Sequence, residues 1–215
     1  MVTEKGIIKK TSLMNFSRPR KSGIIAVILG EEDSLVKTML TNIEDEIVIA
    51  TAEGLAARMM ESSIRNMGRV SRGVIGIRLA QEDKVIGMVR TVPGMNLLTL
   101  SEKGYGKKTP VDDYRLINRG GKGVINLKTN DKTGKAISLH TVKDDEELIM
   151  ISKKGISLRT LIKNVSTIGR NTQGVRIMKL NNDVVVSSAI IFPEDTQEYK
   201  EAQEVSDDIQ EQMQK

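Results

Sequence analysis

Tyr114-Arg115-Leu116-Ile117-Asn118-Arg119-Gly120-Gly121-Lys122-Gly123, followed by Val124-Ile125-Asn126-Leu127-Lys128, decides how the rest of the chain is read. Gly120, Gly121 and Gly123 free the backbone to reach conformations closed to other residues. Successive amides turned the same way form an anion-binding concavity, and Arg115, Arg119 and Lys122 set positive charge beside it. Val124, Ile125 and Leu127 then begin a strand that anchors the loop. On these residues alone, a phosphate-binding loop and an ordinary solvated turn are both open readings.

Repetition favours the first. Gly23, Gly73, Gly123 and Gly174 are spaced 50, 50 and 51 residues apart. Upstream, Gly6, Gly54, Gly104 and Gly155 keep step at 48, 50 and 51. Each upstream glycine leads into a short segment carrying Lys or Arg, such as Ile7-Ile8-Lys9-Lys10-Thr11 and Ile156-Ser157-Leu158-Arg159-Thr160. Two glycines registered at one period mark a repeat array. A full unit reads as four short strands: in the second, Ser34–Thr41, Glu46–Thr51, Leu55–Met60 and Val74–Leu79. Glu53-Gly54, Lys103-Gly104 and Lys154-Gly155 sit where a tight hairpin needs positive φ. The expected fold is all-β, a propeller-like ring or spiral of about four four-stranded blades. Repeats fall near 1–33, 34–83, 84–134 and 135–183, with a final strand at 184–191. The first unit offers only a hairpin (Val2–Leu13) and a strand (Ile24–Leu29), so Met1 begins mid-repeat. Either the last strand closes a ring onto the first hairpin, or the chain is a piece of a longer array.

Charge divides the chain into a domain at 1–193 and a tail at 194–215. The first carries 31 Lys/Arg against 20 Asp/Glu, or +11; the tail carries eight Asp/Glu and two Lys, or −6. A basic body points to a polyanionic partner, and the acidic tail, disordered or a marginal helix, to a competitor for it. Cysteine is absent, the N-terminus lacks the apolar core of a signal peptide, and the apolar runs are short; a cytoplasmic protein without a membrane partner is expected. With three Tyr, two Phe and no Trp, base stacking is excluded as the main contact, which leaves the backbone of a duplex.

Chemistry is not expected. His140 has no second His or any Cys with which to anchor a metal. Gly106-Lys107-Lys108-Thr109 ends like a phosphate-binding P-loop, but Ser101 stands at its first glycine and Pro110 follows instead of a helix. Acidic runs such as Asp144-Asp145-Glu146-Glu147 fall between strands and read as solvated loops. No catalytic residue, metal or cofactor is assigned.

The basic residues keep register instead. Arg18, Arg20 and Lys21 precede Gly23; Arg65, Arg69 and Arg72 precede Gly73; Arg115, Arg119 and Lys122 precede Gly123; Arg170 precedes Gly174. In a radial array these loops share one rim, which can track a curved phosphate backbone. Thr3-Glu4-Lys5-Gly6-Ile7-Ile8-Lys9-Lys10-Thr11, Ser62-Ser63-Ile64-Arg65-Asn66-Met67-Gly68-Arg69, Lys103-Gly104-Tyr105-Gly106-Lys107-Lys108-Thr109 and Ile168-Gly169-Arg170-Asn171-Thr172-Gln173-Gly174-Val175 together resemble the C-terminal DNA-wrapping domain of DNA gyrase A, a type IIA topoisomerase component. That resemblance implies a β-pinwheel whose blades exchange strands, and whose rim wraps duplex DNA in support of ATP-dependent negative supercoiling. It also implies the rest of gyrase A, and gyrase B, as partners. Ile117 to Gly123 keeps the last five residues of the family's Gln-Arg-Arg-Gly-Gly-Lys-Gly box but lies in a later blade. The family's active-site tyrosine belongs to a part not present, so Tyr105, Tyr114 and Tyr199 are not assigned that role. The expected DNA-binding set is the basic residues above with Gly120, Gly121, Gly123, Lys107, Lys108 and Arg159. The C-terminal domain of topoisomerase IV and a propeller-like protein-interaction scaffold are the competing readings.

Overall fold

Each sheet is seeded by a hairpin whose turn holds a positive-φ glycine. β1 (Val2–Thr3) pairs with β2 (Ile7–Ile8) across Gly6 at φ 79°. β3 (Leu35–Lys37) follows, then the hairpin β4 (Glu46–Thr51) and β5 (Leu55–Met60), in register from Glu46↔Met60 to Ala50↔Ala56. β6 (Val74–Ile75) and β7 (Val85–Thr91) lead to the hairpin β8 (Asn96–Ser101) and β9 (Tyr105–Pro110). β10 (Val124–Ile125) and β11 (Ala136–Val142) precede β12 (Glu147–Ser152) and β13 (Ser157–Leu161). β14 (Val175–Arg176) and β15 (Val185–Ile191) complete the set. The computed structural model describes residues 1–91 and 94–193, so the expected acidic tail at 194–215 lies outside the described residues.

The fold is all-β, with sheets ordered β3-β1-β2-β6, β10-β5-β4-β7, β11-β8-β9-β14 and β13-β12-β15. The four strands of one sequence repeat therefore do not share a sheet. β6 reaches back to β2 of the preceding sheet, β10 to β5, and β14 to β9. The expected strands Glu46–Thr51 and Leu55–Met60 form over those bounds. Ser34–Thr41 shortens to Leu35–Lys37 and Val74–Leu79 to Val74–Ile75, because each crosses a sheet edge only briefly. Ile24–Leu29 forms no strand, since no hairpin among the described residues lies against it.

Apolar clusters lie between successive sheets. Ile8, Ile47, Ile49, Met59, Ile77 and Met88 fill the first junction; Val48, Ala50, Ala56, Leu97, Val111 and Tyr114 the second; Leu98, Leu100, Leu148, Met150 and Met178 the third. A sheet covered on both faces needs apolar side chains on both, which is why Ile47-Val48-Ile49-Ala50 does not alternate. Each fully buried Ile or Leu contributes about 1.5–3 kcal/mol relative to exposure. No helix of the described residues is long and apolar enough to cross a membrane.

Candidate nucleic-acid interface

The strand exchange fixes where the basic loops run. β3, β7, β11 and β15 contact their neighbours at the centre, so β6, β10 and β14, at the other end of their sheets, form the outer edge. After each hairpin a short 3-10 turn redirects the chain: Glu61–Ser63, Val111–Asp113 and Ile162–Asn164. It then crosses a hairpin strand through the parallel bridges Lys10↔Asn66, Arg58↔Leu116 and Lys108↔Thr167, and reaches the outer edge. The loops that carry Arg65 to Arg72, Arg115 to Lys122, and Arg170 are thus built into the rim where two blades meet.

One backbone bond repeats at that rim. Ile28 N donates to Ser71 O at 3.1 Å, Arg78 N to Gly121 O at 2.9 Å, and Lys128 N to Thr172 O at 2.9 Å. The loop's end is equally regular. A β-carbon on Gly123, at φ +83°, would lie 2.6 Å from Ala56 O, so only glycine lets the chain pass there. Gly120 does not offer its amide to a ligand as expected: its N–H donates to Gly76 O at 2.6 Å. The glycines of this loop close the junction between blades, and the charge beside them is left to the side chains.

Arg18, Arg20, Lys21, Arg65, Arg72, Arg115, Arg119 and Lys122 are exposed. Arg69 and Arg170 are half-buried, and donate to Ile25 O at 3.1 Å and Ile125 O at 3.2 Å, the same relation two blades apart. Three expected residues stand apart. Lys107 is 0 % exposed and Lys108 2 % exposed, so neither can reach a phosphate. Lys107 Nζ donates to Gly169 O at 2.8 Å, Arg170 O at 2.5 Å and Thr172 Oγ1 at 3.2 Å, while Lys108 is paired with Asp144. Burial pushes Lys107 down to about 7, opposed by Asp113 and reinforced by Arg170. Arg159 is exposed but lies on β13, where Glu147 Oε2 accepts from its Nε at 2.5 Å. Lysine on a hairpin strand faces a neighbouring blade; lysine in the crossing loop faces solvent.

A second column of charge went unread in the sequence. Arg78, Lys128 and Lys179 are exposed, spaced 50 and 51 apart, and two of them lend the backbone N–H of the rim bond. The glycine period applied downstream of Gly73, Gly123 and Gly174 would have found them. Tyr114, which opens this loop, belongs to the core: it is 0 % exposed and its hydroxyl donates to Asn126 Oδ1 at 2.5 Å. Burial raises its phenol well above the usual range. Glu146, expected in a solvated run, is 3 % exposed and accepts from Lys143 N at 2.9 Å. His140 lies half-buried in β11, with Nε2 2.9 Å from Ser188 Oγ. Burial, and then Lys37, push it down to about 4.

These features define a class: a strand-exchanging, propeller-like array that carries registered positive charge on its outer rim. The chain belongs to the family described as DNA gyrase C-terminal domain, beta-propeller, whose model matches residues 1–42, 45–91, 96–143 and 146–193. The DNA gyrase A protein of Haloquadratum walsbyi is 41% identical over 195 residues, 90% of this chain and 23% of the relative. That of Pseudomonas aeruginosa is 42% identical over 186 residues, 86% of this chain and 20% of the relative. The chain thus spans between a fifth and a quarter of the curated relatives it matches. A solved DNA gyrase A C-terminal domain superposes with TM-score 0.80 at 26% identity, over 89% of this chain and 64% of that one. The C-terminal domain of DNA topoisomerase IV superposes with TM-score 0.86 at 22% identity, over 95% of this chain and 64% of that one, a likeness of fold.

Proposed function

We propose that the outer rim binds duplex DNA through its phosphates and bends it along the arc of blades. The observation that carries this reading is the double registration of exposed Arg and Lys with the blade-to-blade backbone bond. Charge that tracks a structural period in this way presents evenly stepped cations to a polyanion, whereas scattered surface charge does not. Contacts to phosphate position a protein without reading sequence, so little sequence preference is expected. The chain would act as the non-catalytic DNA-wrapping part of a gyrase A protein. In the holoenzyme, with the rest of gyrase A and with gyrase B, it would support ATP-dependent negative supercoiling. Arg18, Arg20, Lys21, Arg65, Arg69, Arg72, Arg115, Arg119, Lys122 and Arg170, joined by Arg78, Lys128 and Lys179, are the proposed contacts.

Wrapping, as distinct from binding, is tested by sealing nicked circular DNA with ligase at saturating protein. A chiral wrap shifts the topoisomer distribution in proportion to protein bound; an unshifted distribution at full occupancy contradicts wrapping.

A further inference from the structure

Between residues 44 and 150, four large apolar side chains are exposed among the described residues: Val70, Leu116, Ile75 at 47 % and Ile125 at 39 %. All four lie on the rim, Val70 and Leu116 in its crossing loops, Ile75 and Ile125 on the edge strands β6 and β10. Ile75 and Ile125 each stand two residues past a rim glycine, 50 residues apart. Each is exposed with its own sheet and the next crossing loop already in place around it. A β-carbon on Gly120 would lie 3.9 Å from Ile75 Cγ2, and Ile125 O accepts from Arg170 Nη1 at 3.2 Å. These aliphatic side chains therefore sit beside the cations of the following loop.

The backbone sets which neighbours share their face. Strict alternation from Ile75 would bury Arg78, three residues on. Instead Gly6 O accepts from both Gly76 N at 2.9 Å and Ile77 N at 3.3 Å, and Gly54 O from Asn126 N at 2.8 Å and Leu127 N at 3.0 Å. Two residues opposite one acceptor shift the phase of the strand, as a β-bulge does. Gly76 and Ile77 are buried, as are Asn126 and Leu127, while Ile75 and Arg78, and Ile125 and Lys128, face solvent together. On the other side Arg72 and Lys122 are exposed three residues before. The surface thus runs cation, aliphatic, cation at both junctions. At the third, Arg176 takes the aliphatic place, and its Nε and Nη2 donate to Tyr105 Oη at 3.2 and 2.8 Å.

Residues 62–80 and 114–130 each hold four Lys or Arg and no Asp or Glu. Single aliphatic side chains in so uniformly basic a surface match a polyanion that also has an apolar face. The backbone of duplex DNA is one: phosphates alternate with deoxyribose, whose C2′ carries only hydrogen. We propose that Ile75 and Ile125 pack against deoxyribose between phosphates held by the flanking cations, and that this contact makes the rim select DNA over RNA. The inference rests on the reading of the rim as a duplex-binding surface. In RNA the same carbon carries a hydroxyl, both donor and acceptor, displayed across a wide and shallow minor groove. Set against an aliphatic side chain, that hydroxyl loses water and gains no partner. The cations then supply affinity and its salt dependence, and the two isoleucines supply the choice of sugar.

The test measures affinity for a DNA duplex and an RNA duplex of one sequence at several salt concentrations. Ile75→Ser/Ile125→Ser should weaken DNA binding by about tenfold, the order expected when two half-exposed aliphatic side chains lose their burial. Its salt slope on DNA should stay as it was, because no cation is removed. Its affinity for the RNA duplex should also be unchanged. Ile75→Val/Ile125→Val, which keeps the aliphatic contact, should bind DNA nearly as the unaltered chain does. Unchanged DNA affinity in the serine variant, or an equal loss on both duplexes, overturns the proposal while the reading of the rim stands on its salt dependence. Duplex binding by the unaltered chain that is indifferent to salt overturns that reading, and the proposal with it.

Discussion

The ε-nitrogen of Lys107 donates to the carbonyl of Arg170 at 2.5 Å, joining a fully buried cation to the backbone of a rim arginine 63 residues away. Lys9, 2 % exposed, has the same relation to Arg69, and also donates to Ala26 O at 2.7 Å. In the blade between them Ala57 holds the equivalent position, and there the loop carries Gly120-Gly121 and joins the preceding blade through its own backbone. Two sequences thus solve one problem, holding a charged loop against the junction of two blades.

Lys107→Met should therefore weaken duplex binding although Lys107 touches no phosphate. Without three hydrogen bonds beneath it, the loop from Gly169 to Thr172 loses its fixed course and Arg170 its position. Amide hydrogen exchange should accelerate at residues 169–172 and remain unchanged at 118–122, where no lysine is involved. Unchanged exchange in both loops would remove Lys107 from this role.

Lys107 also gives stability a pH dependence of defined sign. Burial lowers it from its ordinary 10.5 to about 7. Between those values the unfolded chain binds a proton that the folded chain does not, so stability rises with pH across the window and falls as pH drops towards about 7. Urea midpoints for the chain and for Lys107→Met, measured at several pH values, isolate this contribution as their difference. A difference that is flat or declines with pH contradicts it.

Arg58 tests the junction itself. Its guanidinium donates to Val111 O at 3.0 Å and Tyr114 O at 2.9 Å, and lies 2.6 Å from Glu46 Oε2, at 7 % exposure. Removing one partner of a buried pair leaves an uncompensated charge and costs about 3–5 kcal/mol. Arg58→Ala should show that loss in denaturant unfolding, whereas Arg115→Ala, exposed one loop away, should stay within about 0.5 kcal/mol. Similar losses for the two would mean the junction does not depend on this arginine.

The acidic segment makes a separate prediction from charge alone. Deleting residues 195–215 should tighten duplex binding at low ionic strength, with the gap closing as salt screens the segment from the +11 body. A charge-preserving scramble that acts like the native sequence would show that charge suffices. Unaltered affinity after deletion would mean the segment does not compete with DNA.

The period near fifty made the fold legible, because glycine at φ > 0 and strand-length Ile/Val/Leu runs recur with it. Strand exchange was not legible from those residues: a two-residue strand such as Val74–Ile75 looks the same in its own sheet or its neighbour's, and only the pairing with Ile7 and Ile8 decides. Burial of Lys107 and Lys108 was hidden for a related reason. On a strand, lysine reads as solvent-facing until a second blade is laid over it. Arg78, Lys128 and Lys179 were legible, since they keep the same period a few residues beyond the glycine. Tyr114 and Asn126 bond to each other inside the second junction, which no local pattern announces.

That the registered rim, and not net charge, carries duplex binding is tested most directly by the salt dependence of affinity. The comparison is among the chain, an Arg119→Ala/Lys122→Ala variant and a Lys132→Ala/Lys135→Ala variant. Lys135 is an exposed lysine paired with Glu53 at 2.9 Å, and Lys132 lies over Tyr105 at 5.6 Å, both outside the rim loops. Affinity for the unaltered chain should fall by about 0.9 log unit per log unit of salt for each phosphate neutralised. The rim variant should bind more weakly, its slope reduced by roughly one for each phosphate it no longer neutralises, while the control variant stays close to the unaltered chain. Equal losses in the two variants, or binding indifferent to salt, would contradict a registered rim.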